Sequence, residues 1–239
     1  MIEDIVDVQA LDSLRAFYTD DGGYAIAQRV DKDLILDMIA NGNGGGTTVV
    51  EDGTTGAVDS TSTFGSNLLI GDGSTAYSPT ANTNAGNATD LTDLGIRRMI
   101  KKLDDANAPM AGRSLLIPTA IKQDMLGFSR FTEQAFTGEA GSSNSIRNGL
   151  VGNVYAVDIY VTTNLPGVET GAGTNANVSG IMLQRDGVVL VEQMGIRTQT
   201  QYKQEYLADL FTADMIYGTK TLRSTSVIPF VVPQTPTES

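Results

Sequence analysis

The C-terminal run Ile196 to Pro233, IRTQTQYKQEYLADLFTADMIYGTKTLRSTSVIPFVVP, constrains the fold more than any other stretch. It spaces Tyr202, Tyr206, Phe211 and Tyr217 along its length as aromatics expected to be buried, passes a glycine turn at Gly218, and ends in the apolar strand Val227 to Val232. Its polar residues are scattered, and its glycine is single rather than part of a phosphate-cradling loop. It reads as a structural ribbon with nothing catalytic in it.

A length of 239 residues permits one large domain or two small ones, and 41% hydrophobic residues argue against disorder throughout. No run of eighteen apolar residues is present, so no membrane span is expected. The start, MIEDIVDVQ, is acidic and lacks the basic-then-apolar order of a secretory signal, which makes cytoplasmic synthesis the expectation. The absence of cysteine removes disulfides and thiol nucleophiles, and the absence of histidine removes the commonest general base and a common transition-metal ligand. A carboxylate pair, a Ser-Lys pair or an oxygen-ligated Mg2+ or Ca2+ site would remain, and none stands out. The sequence therefore leads us to expect no catalytic residues, no cofactor and no resident metal.

The first unit is Ile2 to Ile39. Ile5, Val8, Leu11 and Leu14 recur at helical spacing, and the pattern resumes after Gly22-Gly23 with Ile26, Val30, Leu34 and Met38. Two helical pieces, or one long helix with a joint at Gly22 and Gly23, satisfy this pattern. Asp20-Asp21-Gly22-Gly23 reads as a flexible joint with solvated acids or as a cation-binding turn. Asn41 to Gly46 stops the helix, because asparagine and glycine tolerate the left-handed backbone of a C-cap. From Thr47 to Thr89 a Gly/Thr/Ser/Asn-rich excursion is expected, with short strands such as Thr48 to Val50 and Asn67 to Ile70 and turns at Asp52-Gly53 and Asp72-Gly73.

Asp90 to Asn107 makes the clearest helix, with Asp90 as its cap, an apolar stripe of Ile96, Met99, Ile100 and Leu103, and Pro109 preventing continuation. Its other face carries Arg97, Arg98, Lys101 and Lys102. They read either as an assembly or nucleic-acid-facing surface, or as a solvated face with Lys101-Asp105 and Lys102-Asp105 pairs. A central strand, Ser114 to Ile117, and a helix, Ala120 to Leu126, follow. Phe128, Phe131 and Phe136 are available to anchor the loop up to Asn148. Asn153 to Thr163 alternates as one half-buried strand, and Gly180 to Gln184 with Val188 to Val191 read as a hairpin about Asp186-Gly187. Helices mixed with non-local strands make the class α+β.

Three passages, in order, resemble the major capsid (head) proteins of tailed double-stranded DNA bacteriophages. They are RRMIKKLDDANAPMAGRSLLIPTAIKQDML (Arg97 to Leu126), RNGLVGNVYAVDIYVTTNLP (Arg147 to Pro166), and the closing ribbon with Tyr206 to Asp209, Tyr217-Gly218 and Leu222-Arg223. The resemblance implies the Hong Kong ninety-seven-type fold, in which an axial domain surrounds a mixed sheet and a peripheral domain holds a long spine helix and a β-ribbon. On that mapping, residues 1–46 form the spine helix, 47–89 an insertion, 90–194 the axial domain, and 195–239 the ribbon and C-terminal strand.

The implied function is structural: self-assembly into hexamers and pentamers of an icosahedral head around double-stranded DNA, with portal, scaffolding and decoration proteins as partners. A net charge of −12 fits a wall that does not adhere to its contents, since a polyanion gains affinity only where basic groups release its counterions. The Gly/Thr/Asn-rich stretches prompt a second reading, a secreted or surface β-rich adhesin. Relatives carry an extended N-terminal arm and loop before the spine helix, whereas here the helical pattern starts almost at once. The apolar Ile2, Ile5 and Val8 therefore lead us to expect that upstream residues or an accessory chain complete the peripheral domain.

Overall fold

Among the described residues, the helical periodicity from Leu14 onward forms one element, α1 (Leu14–Asn41), unbroken over 28 residues and so roughly 42 Å long. The computed structural model describes residues 2–3, 14–43, 68–79, 86–127, 153–168 and 177–235. Within them, α1 runs through both Gly22 and Gly23, which removes the two-helix alternative. Ile2 and Glu3 are not helical, as the spacing suggested, but form β1, because the β9 backbone at Asp209 and Ala208 offers them an antiparallel partner. Ile5, Val8 and Leu11 lie outside the described residues. The end of α1 follows its sequence signal: Gly42 N–H donates to Met38 O at 2.9 Å, and Asn43 takes a φ of 46°.

The chain divides into two compact units, Met1–Leu34 with Leu190–Thr219, and Ile35–Val189 with Lys220–Ser239. The larger unit is built on a mixed sheet of β2 (Leu69–Ile70), β10 (Val227–Pro233), β7 (Asn177–Gln184), β3 (Arg113–Ile117), β5 (Val157–Val161) and β4 (Asn153–Val154), side by side in that order. β6 (Gly167–Val168) pairs with the start of β7. β3 runs parallel to β5 and β2 parallel to β10, while β7 is antiparallel to both its long neighbours. β3 is central, as its apolar run suggested. The Gly/Thr-rich stretch and the C-terminal segment thus both contribute strands to this sheet.

Ile228, Phe230 and Val232 of β10 point into a core shared with Leu115, Ile117 and Met182. α2 (Asp93–Asp105) adds Ile96, Met99 and Leu103, and α3 (Thr119–Gly127) adds Ile121 and Met125, each almost fully buried. Burying one such side chain is worth about 2 kcal/mol, so the stripes of these two short helices dominate their stability. Gly180 lies opposite Phe230 in the β7–β10 register, and a Cβ there would sit 2.4 Å from the Phe230 ring. The ring occupies the space that the missing side chain leaves.

In the smaller unit β8 (Val188–Lys203) and β9 (Ala208–Thr221) form a long hairpin, with β1 on the far side of β9. Several sequence expectations are corrected. β7 and β8 do not pair as a hairpin: a 3-10 turn at Arg185–Gly187 sends β8 into the ribbon sheet. Gly218 lies within β9 rather than at a turn; the chain turns at Ser224–Ser226. Asn153 to Thr163 is not one strand but β4, a two-residue turn and β5, because Tyr155 and Ala156 both take positive φ, 53° and 62°. Tyr202 and Tyr206 are exposed rather than buried, since they lie towards the end of the ribbon that joins β8 to β9, where the strands stand in solvent. The loop aromatics Phe128, Phe131 and Phe136 lie outside the described residues.

Candidate functional site

The basic face of α2 is the first candidate, and its geometry starts at the helix cap. Thr92, not Asp90, caps α2: its backbone is extended and its Oγ1 accepts from Gly95 N–H at 3.0 Å. That placement frees Asp93 in the first turn, where the helix dipole favours an anion. Asp93 receives the Arg97 guanidinium at 2.8 Å on one carboxylate oxygen and the Tyr155 hydroxyl at 2.6 Å on the other. The β4–β5 turn is thereby tied to the start of α2.

Arg98 reaches back to the loop after β2, donating to Asp72 O at 3.1 Å and to Ser74 Oγ at 3.3 Å, with the Asp72 carboxylate at 3.8 Å. Asp72 in turn accepts from the backbone N–H of Ser74 and of Thr75, both at 2.8 Å, and from both hydroxyls. Burial alone pushes this carboxyl up, and the hydrogen bonds from Thr75 and Ser74 outweigh it, holding it at about 2. The loop sits tightly on the helix: a Cβ at Gly95 would lie 2.1 Å from Gly71 O. Asp72-Gly73 is thus a turn, as its sequence suggested, and it organises the hydroxyls that follow it.

Lys101 pairs with Asp105 as expected. Lys102 does not pair with Asp105; burial pushes its ammonium pKa down, and the Asp72 carboxylate partly opposes that. The four cations therefore share one helix face with Asp72, Asp93 and Asp105. Nearby, Arg113 was missed in the sequence: its side chain is 3% exposed and donates to Pro109 O, Ala108 O and Asp104. It closes the α2–β3 connection from inside.

Elsewhere the described residues hold one further feature of note. A cavity of about 530 Å³ lies beside the start of α3, lined by Thr119, Gln123, Thr162, Leu165 and Asn177 among others, and no lining residue is ionisable. Among the described residues no group of three acidic side chains is placed to hold a metal ion. No helix among them is long and apolar enough to cross a membrane. Asp20 and Asp21 lie inside the continuous α1, not in a turn.

The described surface also carries exposed apolar side chains. Phe17, Tyr24, Tyr206 and Leu207 are each more than 60% exposed, and the ribbon also exposes Val191, Ile196 and Ile216. The described residues thus present a mixed sheet, a long helix and an open ribbon.

The comparisons with known proteins agree. The sequence profile of the phage capsid protein family matches residues 3–226, and the chain belongs to that family. No curated protein sequence matches it. A solved structure from Mycobacterium phage Che8 is similar at 23% identity and a TM-score of 0.65, covering 96% of this chain and 67% of that one. The capsid of cyanophage P-SCSP1u is similar at 19% identity and a TM-score of 0.66, covering 97% and 69%. The capsid of Ralstonia phage GP4 matches at 16% identity and a TM-score of 0.63, over 100% and 73%. The fold is that of tailed-phage capsid subunits, as the sequence resemblance implied. The chain is a structural subunit of a multi-subunit virion shell, its family is a structural one, and nothing supports the adhesin reading.

Proposed function

We propose that copies of this chain form the hexamers and pentamers of an icosahedral head that encloses double-stranded DNA. Many modest, partly polar contacts repeated by symmetry hold such a shell closed, so no single interface has to be strong. The observation that carries the reading is the family match over nearly the whole chain, from residue 3 to residue 226. The larger unit corresponds to the axial domain of this fold, and the smaller unit, with α1 and the ribbon, to the peripheral domain. The protein is made in the host bacterial cytoplasm, and portal, scaffolding and decoration proteins complete the particle.

Arg97, Arg98, Lys101 and Lys102 serve an assembly contact better than a DNA-facing one. Each already has a carboxylate of its own chain nearby, which leaves little counterion release to gain from phosphate. A face of both signs suits a polar contact between copies. The test is sedimentation and negative-stain microscopy of the purified protein, with Arg98→Glu/Lys102→Glu beside it. Shells from the wild type and fewer from the variant support the reading. A wild type that remains monomeric at high concentration contradicts the shell, and full particle yield with reduced genome retention in the variant would assign these cations to DNA instead.

A further inference from the structure

The hairpin of β4 and β5 pairs Asn153 with Asp158 and Val154 with Val157, which leaves Tyr155 and Ala156 as the two central residues of its turn. A two-residue hairpin turn with positive φ at both centres favours asparagine or aspartate followed by glycine. Here a tyrosine and an alanine hold φ of 53° and 62°, backbone that crowds any side chain larger than a hydrogen. Burial of the ring does not offset that strain, because Tyr155 is 43% exposed. Closure of the hairpin has support of its own, since the Asn153 amide donates to the Asp158 carboxylate at 2.7 Å across the same two strands. Strain at a position that local structure does not explain points to the task of the side chain it carries.

That side chain reaches α2. The Tyr155 hydroxyl donates to one oxygen of Asp93 at 2.6 Å, the short distance of a bond to a charged acceptor, and the Arg97 guanidinium meets the other oxygen at 2.8 Å. Arg97 Nε also donates to Asp93 O at 3.4 Å. The Asp93 side chain is 20% exposed and that of Arg97 46%, so the carboxylate is the inner member of this chain of contacts and the guanidinium the outer one. An exposed ion pair on a helix is loose when nothing else holds its members. With the hydroxyl on one oxygen the carboxylate keeps one orientation, and the guanidinium that leans on it keeps one place.

We propose that Tyr155 is a positioning residue for the contact that α2 makes between copies: through Asp93 it fixes the Arg97 guanidinium on the α2 face. This rests on the reading of that face as an assembly contact. The bonds to Asp93 engage Nε and one terminal nitrogen of Arg97, so further donors of the planar group remain for a neighbouring copy. A cation held in place beforehand loses less side-chain freedom on binding, and the contact forms at a lower entropic cost. Asparagine at position 155 would ease the backbone but is too short to reach as far as a phenol oxygen. The task of the hydroxyl therefore accounts for a tyrosine on strained backbone.

The experiment measures melting temperature and the lowest protein concentration at which shells form. The variants are Tyr155→Asn/Ala156→Gly, Tyr155→Phe, Arg97→Ala, and Tyr155→Phe/Arg97→Ala to complete a cycle. The double turn variant should melt at or above the wild-type temperature, because its hairpin is relaxed, yet need a concentration roughly threefold or more higher to assemble. Tyr155→Phe should show a similar rise, and no further rise once Arg97 is alanine. Wild-type assembly of the double turn variant would overturn the proposal, as would a rise for Tyr155→Phe that is the same with and without Arg97. A double turn variant that loses melting temperature and assembly together would make the bond to Asp93 a structural tie alone, which also contradicts it. If Arg98→Glu/Lys102→Glu assembles as the wild type does, the α2 contact itself falls, and this inference with it. A wild type that forms no shell overturns the shell reading first.

Discussion

At the residue scale, the decisive positions are those where a small or charged side chain meets backbone. Gly95 lets α2 approach Gly71 O, and Gly95→Ala would place a Cβ 2.1 Å from that oxygen. Backbone on both sides has little room to move, so the substitution should cost about 2 kcal/mol or more in chemical denaturation. Arg113→Met would leave the carbonyls of Ala108 and Pro109 without their donor, at a cost of about 2 kcal/mol. An unchanged denaturation midpoint in either variant would contradict these packing and hydrogen-bond assignments.

Asp124 gives a pH signature at the same scale. Burial first, and the Asp90 carboxylate second, push its carboxyl from 3.8 up to about 6. The folded state therefore binds this proton more tightly than the unfolded chain. The resulting stability is fully present below pH 3.8 and is lost as pH rises through 6. Asp124→Asn should accordingly be more stable than the wild type at pH 7, by under about 1 kcal/mol after solvent screening, and the advantage should vanish near pH 4. Thermal melts of both proteins between pH 4 and pH 7 read the difference. A constant offset across that range would mean that the carboxyl is not perturbed.

At the scale of elements, what was legible in the sequence was local. α2 could be read from Ile96, Met99 and Leu103 because its period and its breaker, Pro109, are contained within one short stretch. The stop of α1 was legible because Gly42 and Asn43 act on their own backbone. The strand errors were errors of partner choice: nothing in Val188 to Val191 says that it leaves β7 for a ribbon, because strand pairing is decided far along the chain. Tyr155-Ala156 was read as strand because neither residue is the Asn-Gly that announces a tight hairpin turn. The α2 face was found as four cations, but their engagement was not, since Asp72 lies 26 residues from Arg98 in the chain. Asp72-Gly73-Ser74-Thr75 does carry a readable turn signal, an aspartate followed by hydroxyls that it can cap. At α1, Gly23 has no neighbour within 4 Å of an added Cβ. Gly23→Ala should therefore stabilise the protein by about 0.5–1 kcal/mol through helix propensity, and a lower melting temperature would show that the helix bends there.

At the scale of the whole molecule, the two units expose apolar and charged surface that a single subunit leaves in water. Belonging to the phage capsid protein family gives such surface a use on the shell reading, in which contacts between copies would bury it. The most direct test of this account is a subunit-resolution electron cryomicroscopy map of the particles that the protein forms. The expected result is a closed shell of hexamers and pentamers, each subunit showing the β2-β10-β7-β3-β5-β4 sheet, the α1 helix and the β8–β9 ribbon in contact with neighbouring copies. A dispersed monomer, or particles whose density does not hold that strand order, would contradict it.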